Sequence, residues 1–78
     1  MIIIIDMNLK NFKDAQLLLG KKVHFTAMCE FFPKDGIKGK VVGLEYSKSN
    51  ELIYIVSING KKFSVGSNTN KLNVSLMI

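Results

Sequence analysis

The sequence predicts a single, mainly β domain with one α-helix near its N-terminus, and three observations lead to this prediction. The chain has 78 residues, which is enough for one small domain. After Gly20 the spacing of the apolar residues changes from the three-to-four interval of a helix to the alternation of strands. Short groups of Gly, Pro, Asn, Asp and Ser separate the alternating segments, and such groups are typical of turns.

The N-terminal residues 1–7 are predicted to form an arm or a short strand. They begin with a β-branched run, residues 2–5, which has strand propensity. The run is too short for a secretory core or a membrane span, and no cationic leader precedes it. Together with a single unpaired cysteine, this predicts a cytoplasmic protein that does not bind a membrane.

Residues 8–19 are predicted to form the helix. Asn8 or Asp6 can cap its first turn, and Gly20 can end its last turn. The apolar face of this helix is wide, so we expect it to pack on the sheet that the rest of the chain forms. The residues with helical spacing are Leu9, Phe12, Ala15, Leu18 and Leu19.

Five strands are predicted within residues 21–77. Val23 and Phe25 alternate with polar neighbours in the first strand, which a long loop follows. Gly43 marks a bulge or tight bend in the second strand.

The third and fourth strands are predicted to form a tight hairpin. Residues 52–58 are apolar on both faces, which is typical of a central strand covered on both sides. The pair Asn59-Gly60 favours a type I′ turn because both residues tolerate positive φ. A polar segment suited to a 3₁₀ turn then leads to the last strand.

This order of strands and connections resembles the SH3-like small β-barrel. The long first loop then corresponds to residues 29–38, the distal hairpin to Asn59-Gly60 and the one-turn helix to residues 67–71. The resemblance implies a five-stranded barrel with the N-terminal helix packed over one opening. An OB-like barrel is the structural alternative. The acidic loop and the Trp of Src-type peptide-binding domains are missing, so recognition of Pro-rich peptides is not implied.

The residue types that carry catalysis are scarce. His24 and Cys29 are an odd number of positions apart, so they face opposite sides of a regular strand. We expect His24 to be an exposed strand residue and Cys29 to be a small buried residue at the strand end. One His and one Cys do not supply a zinc site. The sequence therefore predicts a protein that is not an enzyme and holds neither a cofactor nor a metal.

The long loop and the strand after it contain the candidate partner-binding residues, Phe31, Phe32, Lys34, Lys38 and Lys40. Two adjacent aromatic residues cannot both face the core of a regular strand. At least one ring is then exposed, unless both close the barrel end beneath the loop. Exposed rings anchor protein interfaces, and rings beside lysines also suit single-stranded nucleic acid.

The positive charge of the chain comes from lysine, with no arginine. The formal net charge is +5, and all eleven basic residues are lysines. Since arginine is the side chain that reads base edges bidentately, its absence disfavours base-specific duplex recognition. Non-specific attraction to a polyanion remains open. We assign the doublets Lys21-Lys22 and Lys61-Lys62 to protection of strand edges.

Apolar residues near both termini predict a homo-oligomer interface formed by strand addition. These residues are Ile3, Ile5, Leu76 and Ile78.

Three functions follow from the sequence. The first is a non-enzymatic adaptor or inhibitor that binds a protein, with a phage or mobile element as its hypothetical origin. The second is a small barrel that binds nucleic acid without sequence preference, and the third is a structural subunit of a larger assembly. The missing arginine and the surplus of apolar residues favour a protein partner over nucleic acid.

Overall fold

The computed structural model describes residues 2–4 and 8–77, and only the backbone of residues 2–4. The described strands form one antiparallel sheet with the order β1-β6-β2-β3-β4-β5. The predicted mainly β class with one short helix is therefore confirmed. Closure of this sheet into a barrel stays a prediction. The elements are β1 (Ile2–Ile4), α1 (Phe12–Gln16), β2 (Lys22–Thr26), β3 (Ile37–Tyr46), β4 (Leu52–Ile58), β5 (Lys61–Gly66) and β6 (Asn73–Met77).

One face of the sheet forms the hydrophobic core. Burial alternates along β2 and β4, as the period of two requires. Strand β4 pairs with a neighbour on each side, but its second face, which carries Ile53 and Ile55, is only half-buried. The expectation that both faces of β4 are covered is thus met on one face alone. The buried residues are Leu9, Ala15, Leu18, Val23, Phe25, Val41, Leu52, Tyr54, Val56, Val65 and Val74.

The helix is shorter than the predicted range of residues 8–19. Asn11, rather than Asn8 or Asp6, is its N-cap, and the Asn11 side chain accepts a hydrogen bond from the backbone N–H of Asp14. The Asn8 side chain instead accepts from the backbone N–H of Lys10, which forms a local turn before the helix.

After α1 the chain continues in tighter turns. The N–H groups of residues 17, 18 and 19 each bond to the carbonyl three residues earlier. This spacing rotates the predicted apolar face, so Ala15 and Leu18 are buried while Phe12 and Leu19 are exposed. Gly20, which has a φ of 79°, ends the segment as predicted.

The strand connections follow the local signals in the sequence. Asn59 and Gly60 have φ values of 51° and 82°, as a type I′ hairpin requires, and Ile58 pairs with Lys61 across the turn. The register of β3 against β4 shifts between Val41 and Gly43, which confirms the predicted bulge. These two features determine which residues of β3, β4 and β5 lie side by side.

The predicted oligomer interface stays a prediction, because β1 lies at an edge of the described sheet, but the structure restricts where a second copy could pair. Strand β1 pairs with β6 of the same chain, with Ile3 opposite Leu76. Because β2 occupies the other edge of β6, strand addition to β6 by a second copy has no free edge along this ladder. Leu76 is half-buried and packs against the core. Ile5 and Ile78 lie outside the described residues.

Candidate functional site

The long loop between β2 and β3 is held at both of its ends. The backbone N–H of Met28 donates to the Asn70 carbonyl at 2.9 Å, and the Asn70 side chain donates to the Met28 carbonyl at 3.1 Å. At the other end, Nε2 of His24 donates to the backbone carbonyl of Asp35 at 2.8 Å. Gly36 allows this close approach, because a Cβ there would collide with the His24 ring and the Phe25 carbonyl.

The two adjacent phenylalanines of this loop have different environments. Phe31 is 91% exposed, whereas Phe32 is half-buried and packs against the core. The backbone N–H of Phe32 donates to the Cys29 carbonyl at 3.1 Å, which closes a turn around Phe31. The Phe32 ring therefore contributes to the core, whereas the Phe31 ring is exposed to solvent. The alternative in which both rings close the end of the barrel is wrong.

An apolar cavity of about 420 Å³ lies where the loop meets the β4–β5 hairpin. Phe63, at 44% exposure, leaves much of its ring open to solvent at this cavity. Lys38 is the basic residue of the lining, and Lys34 lies between two lining residues of the loop. The lining consists of Pro33, Asp35, Gly36, Ile37, Lys38, Ile58 and Phe63.

The face of the sheet that points away from the core carries a row of lysines. Lys22 on β2 is directly opposite Lys40 on β3, and Lys40 is opposite Ser57 on β4. Ser57 is in turn opposite Lys62 on β5. Residues directly opposite in antiparallel strands point to the same face. The lysines are exposed, whereas the neighbours of Lys40 along β3 are buried. We call Lys22, Lys40, Ser57 and Lys62 the lysine row.

The predicted partner-binding residues stay a prediction, and the structure divides their lysines between two features of the surface. Lys38 lines the apolar cavity, and Lys34 is exposed in the adjoining loop. Lys40 does not line the cavity and belongs to the lysine row, although it points to the same face of β3 as Lys38. Sequence reasoning grouped them because they are close along the chain, but the cavity and the row recruit their other members from different elements.

The two reactive side chains, His24 and Cys29, are placed differently from expectation. Cys29 is exposed in the loop, so the prediction that it is buried is wrong. Its segment leaves β2 before reaching position 29 and does not continue the strand into the core. His24 is half-buried rather than exposed because the loop packs against its ring.

The described part of the chain contains neither a candidate metal site nor a candidate membrane-spanning helix. No group of three or more His, Cys, Asp or Glu residues within 2–4 and 8–77 is arranged to hold a metal ion. In the same ranges, no helix has both the length and the apolar character needed to cross a bilayer.

The site was compared with known proteins. Searches of protein families, curated proteins and solved structures found no match to this chain. The functional argument therefore depends on two features of this chain, the loop that carries Phe31 and lines the cavity through Pro33, and the lysine row.

Sequence reasoning missed residues on both surfaces. Ile58 and Phe63 come from the hairpin, far from the loop in sequence, and only the folded sheet brings them to the cavity. A partial signal for the lysine row exists, because the two-residue hairpin turn places Lys62 opposite Ser57. The pairing of Lys22 with Lys40 has no such signal, since a long loop separates their strands.

Proposed function

We propose that this chain is a non-enzymatic protein-interaction module, an adaptor or an inhibitor. Its partner contacts Phe31 and the apolar cavity beside the β4–β5 hairpin. The observation that carries the proposal is the 91% exposure of Phe31, on a loop tethered at both ends. A rigidly presented aromatic ring loses little conformational entropy on binding, and such rings are typical anchors of protein interfaces.

The cavity complements this anchor. Pro33, Ile37, Ile58 and Phe63 give it an apolar lining that can receive a side chain from the partner. Lys38 in the lining and Lys34 next to it favour a partner surface with carboxylates around its apolar residue. The partner chemistry is thus an apolar side chain surrounded by acidic residues.

The proposal predicts that Phe31→Ser strongly reduces partner capture. Immobilised wild-type chain should retain one stoichiometric protein from a lysate of the source cells, and nuclease treatment should not release it. Loss of an interface anchor costs about 2 kcal/mol or more, so the Kd for the purified partner should rise by about 30-fold. Quantitative mass spectrometry followed by titration calorimetry measures both effects.

Leu17→Ser is the matched control. Leu17 is another exposed apolar residue, at 71% exposure, and lies at the C-cap of α1. This variant should capture the partner like the wild type. The proposal is wrong if Phe31→Ser and the wild type retain the same protein with equal affinity, or if nuclease releases the captured protein.

A further inference from the structure

We propose that the lysine row binds the phosphate backbone of nucleic acid without reading its sequence. The row is Lys22, Lys40, Ser57 and Lys62, one residue from each of four adjacent strands. It is distinct from the cavity that carries the proposed protein-binding function. The two proposals can therefore fail separately.

The row has the length and rigidity that a backbone contact needs. Neighbouring strands are about 4.8 Å apart, so Lys22 and Lys62 are separated by about 14 Å. Along one strand of B-DNA, that length spans about four nucleotides. The ladders of β2, β3, β4 and β5 hold the Cα atoms of the row in register. A flexible loop would have to lose entropy to place its charges this way.

The pairing of Lys22 with Lys40 is unfavourable for folding. Side chains directly opposite in an antiparallel ladder have Cβ atoms about 5 Å apart, and like charges there destabilise the sheet. Ser57, the next residue in the row, adds no negative charge to offset them. A bound polyanion would turn this repulsion into attraction, since its phosphates can sit between the ammonium groups.

On the side of β2 and β6, the neighbours of the row are polar and suit phosphate oxygens. His24 follows Lys22 on the same face of β2 and is opposite Lys38 and Ser75. Hydroxyl and ammonium groups bind phosphate and sugar without carrying sequence information. Arginine, Phe, Tyr and Trp, which read or stack bases, are not among these residues. The chemistry therefore fits the backbone rather than the bases.

The test compares two triple variants by fluorescence anisotropy with random-sequence duplex and single-stranded DNA. One variant is Lys22→Gln/Lys40→Gln/Lys62→Gln. The control is Lys10→Gln/Lys13→Gln/Lys48→Gln, which removes the same charge from exposed sites outside the row. For the wild type, three phosphate contacts predict a slope of log affinity against log salt of about −2.7 on duplex DNA. On single strands the slope is about −2.1.

We expect the row variant to lose at least tenfold in affinity at 50 mM salt and most of this slope, whereas the control variant stays within about threefold of the wild type. Equal losses in both variants would show a general effect of net charge and would overturn the proposal. Absence of wild-type binding at low salt would overturn it as well. So would row-dependent binding to phosphatidylserine vesicles or polyglutamate without binding to DNA. Circular dichroism of each variant verifies folding.

Discussion

Tyr54 is the residue at which the core meets the segment before the helix. Its side chain is fully buried, and its hydroxyl donates to the backbone carbonyl of Leu9 at 2.7 Å. Its ring also lies 5.2 Å from the ring of Phe25. One side chain thus links the middle of β4 to a segment that precedes it by 45 positions.

Tyr54→Phe should destabilise the protein. The change keeps the ring but leaves the Leu9 carbonyl without its donor, so the free energy of unfolding should fall by about 1–3 kcal/mol. Urea denaturation at pH 7 measures this loss. An unchanged midpoint would contradict the role assigned to the hydrogen bond.

Tyr54 gives the wild type a pH dependence of stability that Tyr54→Phe lacks. Burial, with a smaller contribution from the negative charge of Asp14, raises the pKa of Tyr54 from 10.0 to about 12. Between these values the unfolded chain loses the phenolic proton while the folded protein keeps it. Stability from this group is therefore complete below pH 10 and is lost as the pH rises toward 12.

A comparison of the wild type with Tyr54→Phe isolates this effect, because the two proteins differ only in the phenolic hydroxyl. The difference in stability between wild type and Tyr54→Phe should shrink from pH 10 to pH 12. A constant difference over that range would contradict the raised pKa.

At the scale of elements, the ladder between β2 and β3 carries the unfavourable pair Lys22–Lys40. Lys22→Gln should raise the free energy of unfolding by about 0.2–1 kcal/mol, because it removes a like charge directly opposite Lys40. Urea denaturation at low ionic strength measures the gain. It should decrease at 1 M salt, where the screening length falls to about 3 Å.

Lys48→Gln is the control for this prediction. Lys48 lies in the turn between β3 and β4, outside the paired strands, so removing its charge should change stability much less. A gain of the same size in both variants would indicate a general effect of net charge. The pair would then have no special role.

At the scale of the whole molecule, strand β1 pairs with one edge of β6 and prevents another strand from pairing there. Removing residues 1–7 would expose the edge of β6 at residues 75–77. We expect the truncated chain to be less stable and to self-associate as its concentration rises, because the edge strand is then the longer β6 rather than β1 and offers more unpaired backbone groups to a second copy. Sedimentation velocity of both chains over a range of concentrations measures this.

Sedimentation also bears on the proposal of a structural subunit. A full-length chain that assembles at high concentration would favour that function over the adaptor proposed above. If truncation changes neither the sedimentation coefficient nor the stability, the protective role of β1 is wrong.

Much of the fold followed from local signals. The alternation of residues 22–26, the glycine at 43 and the Asn59-Gly60 turn each correctly predicted a local structure. These signals are reliable because they depend on the conformational preferences of a few neighbouring residues. The helix length was missed because Asn8 and Asn11 are both good caps, and their competition is settled by contacts beyond the segment.

The site could be predicted only in part. Adjacent phenylalanines implied that Phe31 or Phe32 is exposed, but their identical chemistry gave no means of choosing between them. The packing of Phe32 against the core makes that choice. Lys38 and Lys40 were correctly expected to be exposed on one face of β3, but only Lys38 lines the cavity, whereas Lys40 is paired with Lys22.

The amino-acid sequence by itself determined the mainly β class, the hairpin turn, the bulge and the supply of lysines without arginine. These properties depend on composition or on a few consecutive residues. The tertiary structure decided the cavity, the lysine row and the pairing of β1 with β6. Each of these joins residues from distant parts of the chain, and their relative positions depend on strand register and loop closure, which no local pattern encodes.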